Sequence, residues 1–193
     1  MYFCRYPSPL GNLILAEEED AIVYCQWEDT IDEQKVAKWT EDKEQNSVLL
    51  TEACRQLTEY FTHKRKTFNL PMRLNGTSFQ LLAWEGLRQI PYGETLSYAG
   101  LARQIGREKA ARAVGNANHH NPLMVIIPCH RVVASNGELG GYAGGTARKA
   151  WLLEKEYRKV IRTKRKKIKD ENKIYYFALI NNPNSGFLAE RNI

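Results

Sequence analysis

The sequence predicts two folding units of different class. A small α/β domain covers residues 1–76 and a mostly α domain with a helix-turn-helix covers residues 77–156, followed by a basic extension over residues 157–193. Three observations carry this division. Two apolar, β-prone runs and one amphipathic helical stretch fill the first part. Pro71 and Gly76 punctuate its end, directly before a helix-capping pattern. The net charge also changes sign there: residues 1–76 hold 9 basic and 13 acidic side chains, residues 77–156 hold 9 and 6, and residues 157–193 hold 10 and 3.

Leu13 to Ala16 and Ile22 to Trp27 flank the acidic stretch EEED and read as two strands joined by a solvated turn. Over residues 46–62, Leu49, Leu50, Ala53, Leu57, Tyr60 and Phe61 recur at spacings of three and four. This predicts a helix packed on the strands, with Asn46 or Ser47 as its cap. KRKTFNLPMRLNG, ending at Gly76, reads as a strand followed by a linker. Thr77 to Gln80 form a capping-box pattern, and Phe79, Leu82, Leu87 and Ile90 mark one face of the helix that follows, which PYGE at 91–94 stops. Ser97 to Gln104 is a short helix with Leu96, Ala99 and Ile105 inward, Gly106 is a turn, and Lys109 to Asn118 is a second helix. Such a pair is either a plain helical hairpin or a DNA-binding helix-turn-helix. KAARAVGNAN is nearly bare of long side chains except Lys109 and Arg112, so its backbone can approach another surface closely.

Met124 to Ile127 is a continuous apolar run that reads as a buried strand, and Pro128, lacking an N–H, ends its pairing. Cys129 then sits at a strand end. The glycine-dense loop SNGELGGYAGG precedes TARKAWLLEKE, a helix with Trp151, Leu152 and Tyr157 inward and Glu156 near its C-terminal end.

Composition narrows the classes of function. At 193 residues with 43% apolar side chains the chain can build a real core, and no apolar run approaches the roughly 18 residues that span a bilayer. A soluble, monomeric, cytoplasmic protein with no membrane partner is expected, nuclear in a eukaryotic host. The four cysteines, Cys4, Cys25, Cys54 and Cys129, include no CxxC pair, which argues against a zinc ribbon and a disulfide scaffold; no metal and no cofactor are expected. The net charge of +6 is concentrated in the second half and the tail, where a polyanion would be met.

Cys129 by itself is a packing residue, a metal ligand or a nucleophile. A free thiol is mostly protonated at neutral pH, so nucleophilic work needs a nearby base, and His130 is adjacent. Neighbouring side chains on a strand face opposite ways, however, so contact requires a turn or an intervening water. Glu156 is either a surface charge or the group that orients that imidazole.

The segments IPYGETLSYAGLA, KAARAVGNAN, NPLMVIIPCHRVV, GELGGYAGG and WLLEKE occur in this order, and together they resemble the O6-alkylguanine-DNA alkyltransferases, or methylated-DNA-protein-cysteine methyltransferases. The resemblance covers about residues 77–156. It implies a ribonuclease-H-like α/β domain at the N-terminus and double-stranded DNA carrying O6-alkylguanine as partner, with O4-methylthymine left open. It further implies that Cys129 accepts the alkyl group in a single, irreversible turnover. His130 is implied as the base acting through a water, Glu156 as its support, and Asn121 as the hinge between recognition helix and active-site strand. Arg112 is implied to fill the space of the extruded nucleotide, with Ala111 beside it against DNA, and Tyr98 to turn the phosphate. Tyr142 and Ala143 are implied to line the base pocket. Such a protein reads little sequence, because the minor groove offers little. The family's usual ending has no counterpart of residues 157–193, where YRKVIRTKRKKIKD reads as a solvated helix extension or a phosphate-binding arm.

Overall fold

The computed structural model describes residues 1–44 and 46–164. It opens with an antiparallel meander of β1 (Tyr2–Ser8), β2 (Gly11–Glu18) and β3 (Ala21–Trp27), and the short β4 (Thr40–Glu41) joins parallel to β1 in the spatial order β3-β2-β1-β4. Glu19 and Asp20, the two residues of the β2–β3 turn, both take positive φ, which matches the twist of a tight hairpin. β1 lies outside the two strands expected. Its buried Phe3 and Tyr6 break strict alternation and Pro7 sits within it, so its strand character comes from pairing with β2 along its full length.

A four-residue helix, α1 (Glu33–Val36), precedes β4, and α2 (Val48–Phe61) covers one sheet face. Ser47 caps α2 by accepting from the Leu50 N–H at 3.0 Å. Residues 64–76 form no strand, contrary to the expectation: Met72 makes one isolated bridge to Ile22, and the segment is held by the bonds from Ile22 N to Pro71 O (2.9 Å) and from Arg73 N to Ile22 O (3.1 Å). Pro71 cannot donate, so a ladder has no means of continuing.

α3 (Ser78–Arg88) begins with the expected reciprocal box between Thr77 and Gln80. Its buried face is Ala83, Trp84, Gly86 and Leu87, whereas Leu82, expected inside, is 38% exposed. Gly86 sets that rotation, since a Cβ there would lie 2.6 Å from Ile105 and 2.9 Å from Leu101. The Trp84 indole N–H completes the contact by donating to Ala117 O at 2.8 Å. β5 (Leu96–Ser97) leads into α4 (Tyr98–Gln104), capped by Ser97, and the chain reverses at Gly106 into α5 (Ala111–His119). Leu101 and Ala102 are fully buried on α4, while Leu96, Ala99 and Ile105 are half-buried.

Met124 to Ile127 is not a strand. Leu123 and Met124 bridge Cys25 and Ile127 respectively, and the run folds into a buried turn with Val125 at φ 72°. A continuous apolar run has no period by which strand and buried turn could be told apart. The turn leads through Pro128 to a single 3-10 turn, Cys129–Arg131, and then to β6 (Val132–Val133), parallel to β5. α6 (Thr146–Lys164) closes the described fold. Glu156 therefore lies in mid-helix, not near a C-terminal end, because the basic stretch continues the helix. The rest of that stretch and KIYYFALI lie outside the described residues.

One apolar core runs through both halves, joining Leu13, Trp27, Leu57 and Tyr60 to Trp84, Leu87, Val114, Ile127 and Leu152. At its centre is the fully buried Glu156 carboxylate. Oε1 accepts from Tyr60 Oη (2.6 Å), His130 Nε2 (3.0 Å) and Arg131 Nη2 (3.0 Å), and Oε2 from Arg131 Nε (2.9 Å) and the Gly93 N–H (3.0 Å). Burial pushes this carboxyl up, but its partners, the His130 imidazole and the Arg131 guanidinium, outweigh that and hold it well below the usual carboxylate range. Glu156→Ala should lower the unfolding free energy by about 3–5 kcal/mol in urea titrations, since it strands the Arg131 charge in the interior. The depressed carboxyl contributes fully above its unfolded pKa of about 4.3 and loses that contribution as the pH falls towards its folded value. The variant's stability should lack that acid slope.

Candidate active site

A 3-10 turn has three residues per revolution, so successive side chains diverge by about 120°. The Cys129–Arg131 turn uses this to send one side chain to a cavity and two to Glu156. The Cys129 and His130 side chains thus diverge on a turn instead of a strand, and no direct hydrogen bond joins them among the described residues. Cys129 is 4% exposed and lines a cavity of about 240 Å³ with Tyr98, Gly115, Asn118, His119, Gly141, Tyr142 and Ala143.

Asn121 fixes the sulfur. Its Oδ1 accepts from the Leu123 N–H at 3.0 Å, which orients the amide so that Nδ2 donates to Ile127 O at 2.9 Å and to Cys129 Sγ at 3.1 Å. The same side chain thus pins the buried turn and addresses the thiol. Burial pushes the Cys129 thiol up, while the Asn121 donor and the nearby Lys149 charge pull it back. Lys149 is itself buried, and burial brings it down to about 8. Its Nζ donates to Val132 O (2.6 Å) and Gly141 O (3.1 Å) and lies 5.7 Å from the Tyr98 ring centre.

His130 is fully buried behind the cysteine. Because Glu156 is held ionised, the bond at 3.0 Å requires the proton on His130 Nε2, which leaves Nδ1 with the lone pair. That Nδ1 is buried with no hydrogen-bond partner among the described residues. Burial lowers the imidazole's pKa, against the pull of Glu156, so it is neutral and able to take a proton at neutral pH.

The glycine-dense loop forms the outer wall. Gly140, at φ 65°, also lies so close to Tyr98 that a Cβ would sit 2.9 Å from its hydroxyl. At Gly144 a Cβ would be 2.3 Å from the Trp27 ring. Tyr98 Oη donates to Gly141 O at 3.3 Å.

The structure therefore gathers Cys129, Asn121, Tyr98, Tyr142 and Ala143 at the cavity, with His130 and Glu156 directly behind. Arg112 is exposed in the first turn of α5, and Ala111 is half-buried at its start; neither lines the cavity. Sequence reasoning missed Lys149, Arg131, Tyr60, Gly93 and Asn118. Arg131 stood inside the PCHRV motif, Gly93 inside IPYGETLSYAGLA and Asn118 at the end of KAARAVGNAN; Lys149 and Tyr60 carry no local signal, since their partners are distant in sequence.

The profile described as "6-O-methylguanine DNA methyltransferase, ribonuclease-like domain" matches residues 1–74, and "6-O-methylguanine DNA methyltransferase, DNA binding domain" matches residues 78–158. The constitutive methylated-DNA–protein-cysteine methyltransferase of Bacillus subtilis is 48% identical over 158 residues, covering 80% of this chain and 94% of that protein. A methylated-DNA–protein-cysteine methyltransferase of Methanosarcina acetivorans is 41% identical over 157 residues, covering 81% of this chain and 98% of that protein. The crystal structure of Mycobacterium tuberculosis OGT in complex with DNA superposes with a TM-score of 0.75 at 40% identity, covering 82% of this chain and 94% of that one. A buried cysteine with an acid–base pair behind it, inside a chain matched along both halves, leads to one conclusion: this chain belongs to the 6-O-methylguanine-DNA methyltransferase family, the methylated-DNA–protein-cysteine methyltransferases.

Proposed function

We propose that this protein repairs DNA by direct reversal, moving the alkyl group of O6-alkylguanine onto Cys129 in one irreversible turnover. The observation that carries the reading is a cysteine at a small cavity, addressed by Asn121 and backed by a neutral imidazole on an ionised carboxylate. His130 Nδ1 takes the thiol proton through a bridging water, and Glu156 stabilises the imidazolium that results. The sulfur pair forms the new S–C bond while the C–O6 bond breaks. Its electrons pass into the purine, which takes up a proton and leaves as guanine. The Ala143 N–H donates to O6, where negative charge develops. The product thioether holds its carbon on a poor leaving group, and no second cysteine lines the cavity among the described residues, so the protein is consumed stoichiometrically.

A base inside a duplex is out of reach of this sulfur, so the nucleotide must be turned out, at a cost of a few kcal/mol. α4 and α5 act as a helix-turn-helix that enters the minor groove, with residues 77–156 forming the DNA-binding and transfer domain and residues 1–76 its ribonuclease-H-like support. Support comes from α5: it is the part with small residues, it has no side-chain cap at its N-terminus, and Arg112 is exposed in its first turn. Arg112 occupies the place of the lost nucleotide, Ala111 lies against the backbone, and Tyr98 turns the phosphate. Tyr142 and Ala143 contact the base. One chain holds every group used, so the protein acts as a monomer, and no membrane partner is involved. Among the described residues no helix is long and apolar enough to cross a bilayer.

Incubation with a duplex carrying O6-methylguanine should raise the intact mass by one methylene located on Cys129, and Cys129→Ser should abolish the gain. An unchanged wild-type mass rejects the reading. The transfer rate should fall at acid pH as His130 becomes protonated, with its midpoint below the ordinary histidine value of about 6.5, because burial lowers its pKa. Arg112→Ala should slow transfer on duplex DNA by at least about tenfold while sparing the free O6-alkylated base, which needs no extrusion.

A further inference from the structure

Two of the four cysteines face each other across a seam that alkyl transfer does not use. Cys4 lies on β1 and Cys54 on α2, 50 positions apart in sequence, with their sulfurs hydrogen-bonded at 3.5 Å. The next rung of the seam has the same build. Tyr6, two residues along the strand and so on the same face, meets Thr58, one turn along the helix, at 3.2 Å. The register of strand against helix is thus held by both rungs, and it keeps the two sulfurs opposed. Cys4 and Cys54 are free and half-buried, whereas Cys25 and Cys129 are sealed at 0% and 4% exposure. Cys25 shares the sheet row of Cys4, but Leu15 stands between them.

We propose that Cys4 and Cys54 form a reversible oxidation site, which a small hydroperoxide converts to a disulfide tying β1 to α2 while Cys129 keeps its thiol. The Cys54 thiolate attacks one peroxide oxygen, the O–O bond breaks, and the other half leaves as water or an alcohol. The Cys4 thiol then attacks the sulfenic sulfur, the S–S bond forms and water departs. Two thiols are oxidised and one peroxide is reduced. The order of the two sulfurs follows from their hydrogen bond, which pulls the Cys54 thiol below the ordinary thiol range against the effect of burial. The same bond pushes Cys4 up, and burial and the Asp42 carboxylate add to it. Cys54 is therefore the sulfur that ionises, and Cys4 the one that resolves. Because the sulfurs already touch, a shift of about 1.5 Å closes the bond. α2 also supplies Tyr60 to Glu156, so the bridge anchors the helix that supports the base.

The test treats the full-length protein with hydrogen peroxide, then labels the remaining thiols in denaturant. Two of the four thiols should disappear, with a mass lower by two hydrogens and a cross-linked peptide joining Cys4 to Cys54 within one chain. The two that remain should be Cys25 and Cys129, and dithiothreitol should restore the lost pair. Cys4→Ser should accumulate a sulfenic acid on Cys54 that dimedone traps, whereas in Cys54→Ser the oxidation of Cys4 should be slower by at least about tenfold. Survival of all four thiols, a bridge to Cys25 or to a second chain, or oxidation of Cys129 ahead of the pair overturns the proposal. Equal rates in the two variants overturn it as well. These readouts count thiols and need no DNA, so their failure leaves the transfer reading standing, and its failure leaves them unaffected.

Discussion

Five donors converge on one carboxylate at the centre of this molecule. Glu156 sits in mid-helix with no exposure, and an ionised group there is tolerable only because Arg131, His130, Tyr60 and the Gly93 backbone surround both oxygens. The donors come from three separate parts of the chain: α2, the loop after α3 and the cysteine's own 3-10 turn. The carboxylate therefore ties the first half to the second, and its charge sets the tautomer of His130. Stability and proton chemistry share this one group, so the base cannot be altered without disturbing the packing.

The cysteine sits under a different compromise. A thiol in a nearly closed site is kept protonated by desolvation, which protects it from casual oxidation and unwanted electrophiles. Asn121 and Lys149 offset part of that penalty without exposing the sulfur. Lys149 stays off the sulfur itself by spending its ammonium hydrogens on Val132 O and Gly141 O. The pocket is thereby enclosed and polarised at once, which suits a single nucleophilic event better than repeated turnover.

Much of this was legible in the chain. α2, α3 and α4 follow from spacing and caps, because Ser47, Thr77 and Ser97 satisfy orphan N–H groups locally and need no tertiary partner. The failures are equally local in origin. Leu82 fits an i, i+3 stripe, but Gly86 decides which face of α3 meets α4. Met124 to Ile127 lacks any period, and Asn121 decides that it is a turn.

The sequence by itself determined the two-part organisation, the capped helices and the identity of Cys129, His130, Asn121 and Glu156 as a constellation, since short-range rules and an ordered set of motifs suffice for these. Only the tertiary structure decided that Tyr60 reaches Glu156, that Lys149 lies near the thiol and that Glu156 is mid-helix. The reason is physical. Such facts are contacts between residues as many as 96 positions apart, and burial, which sets their electrostatics, belongs to the packed whole and to no segment of it.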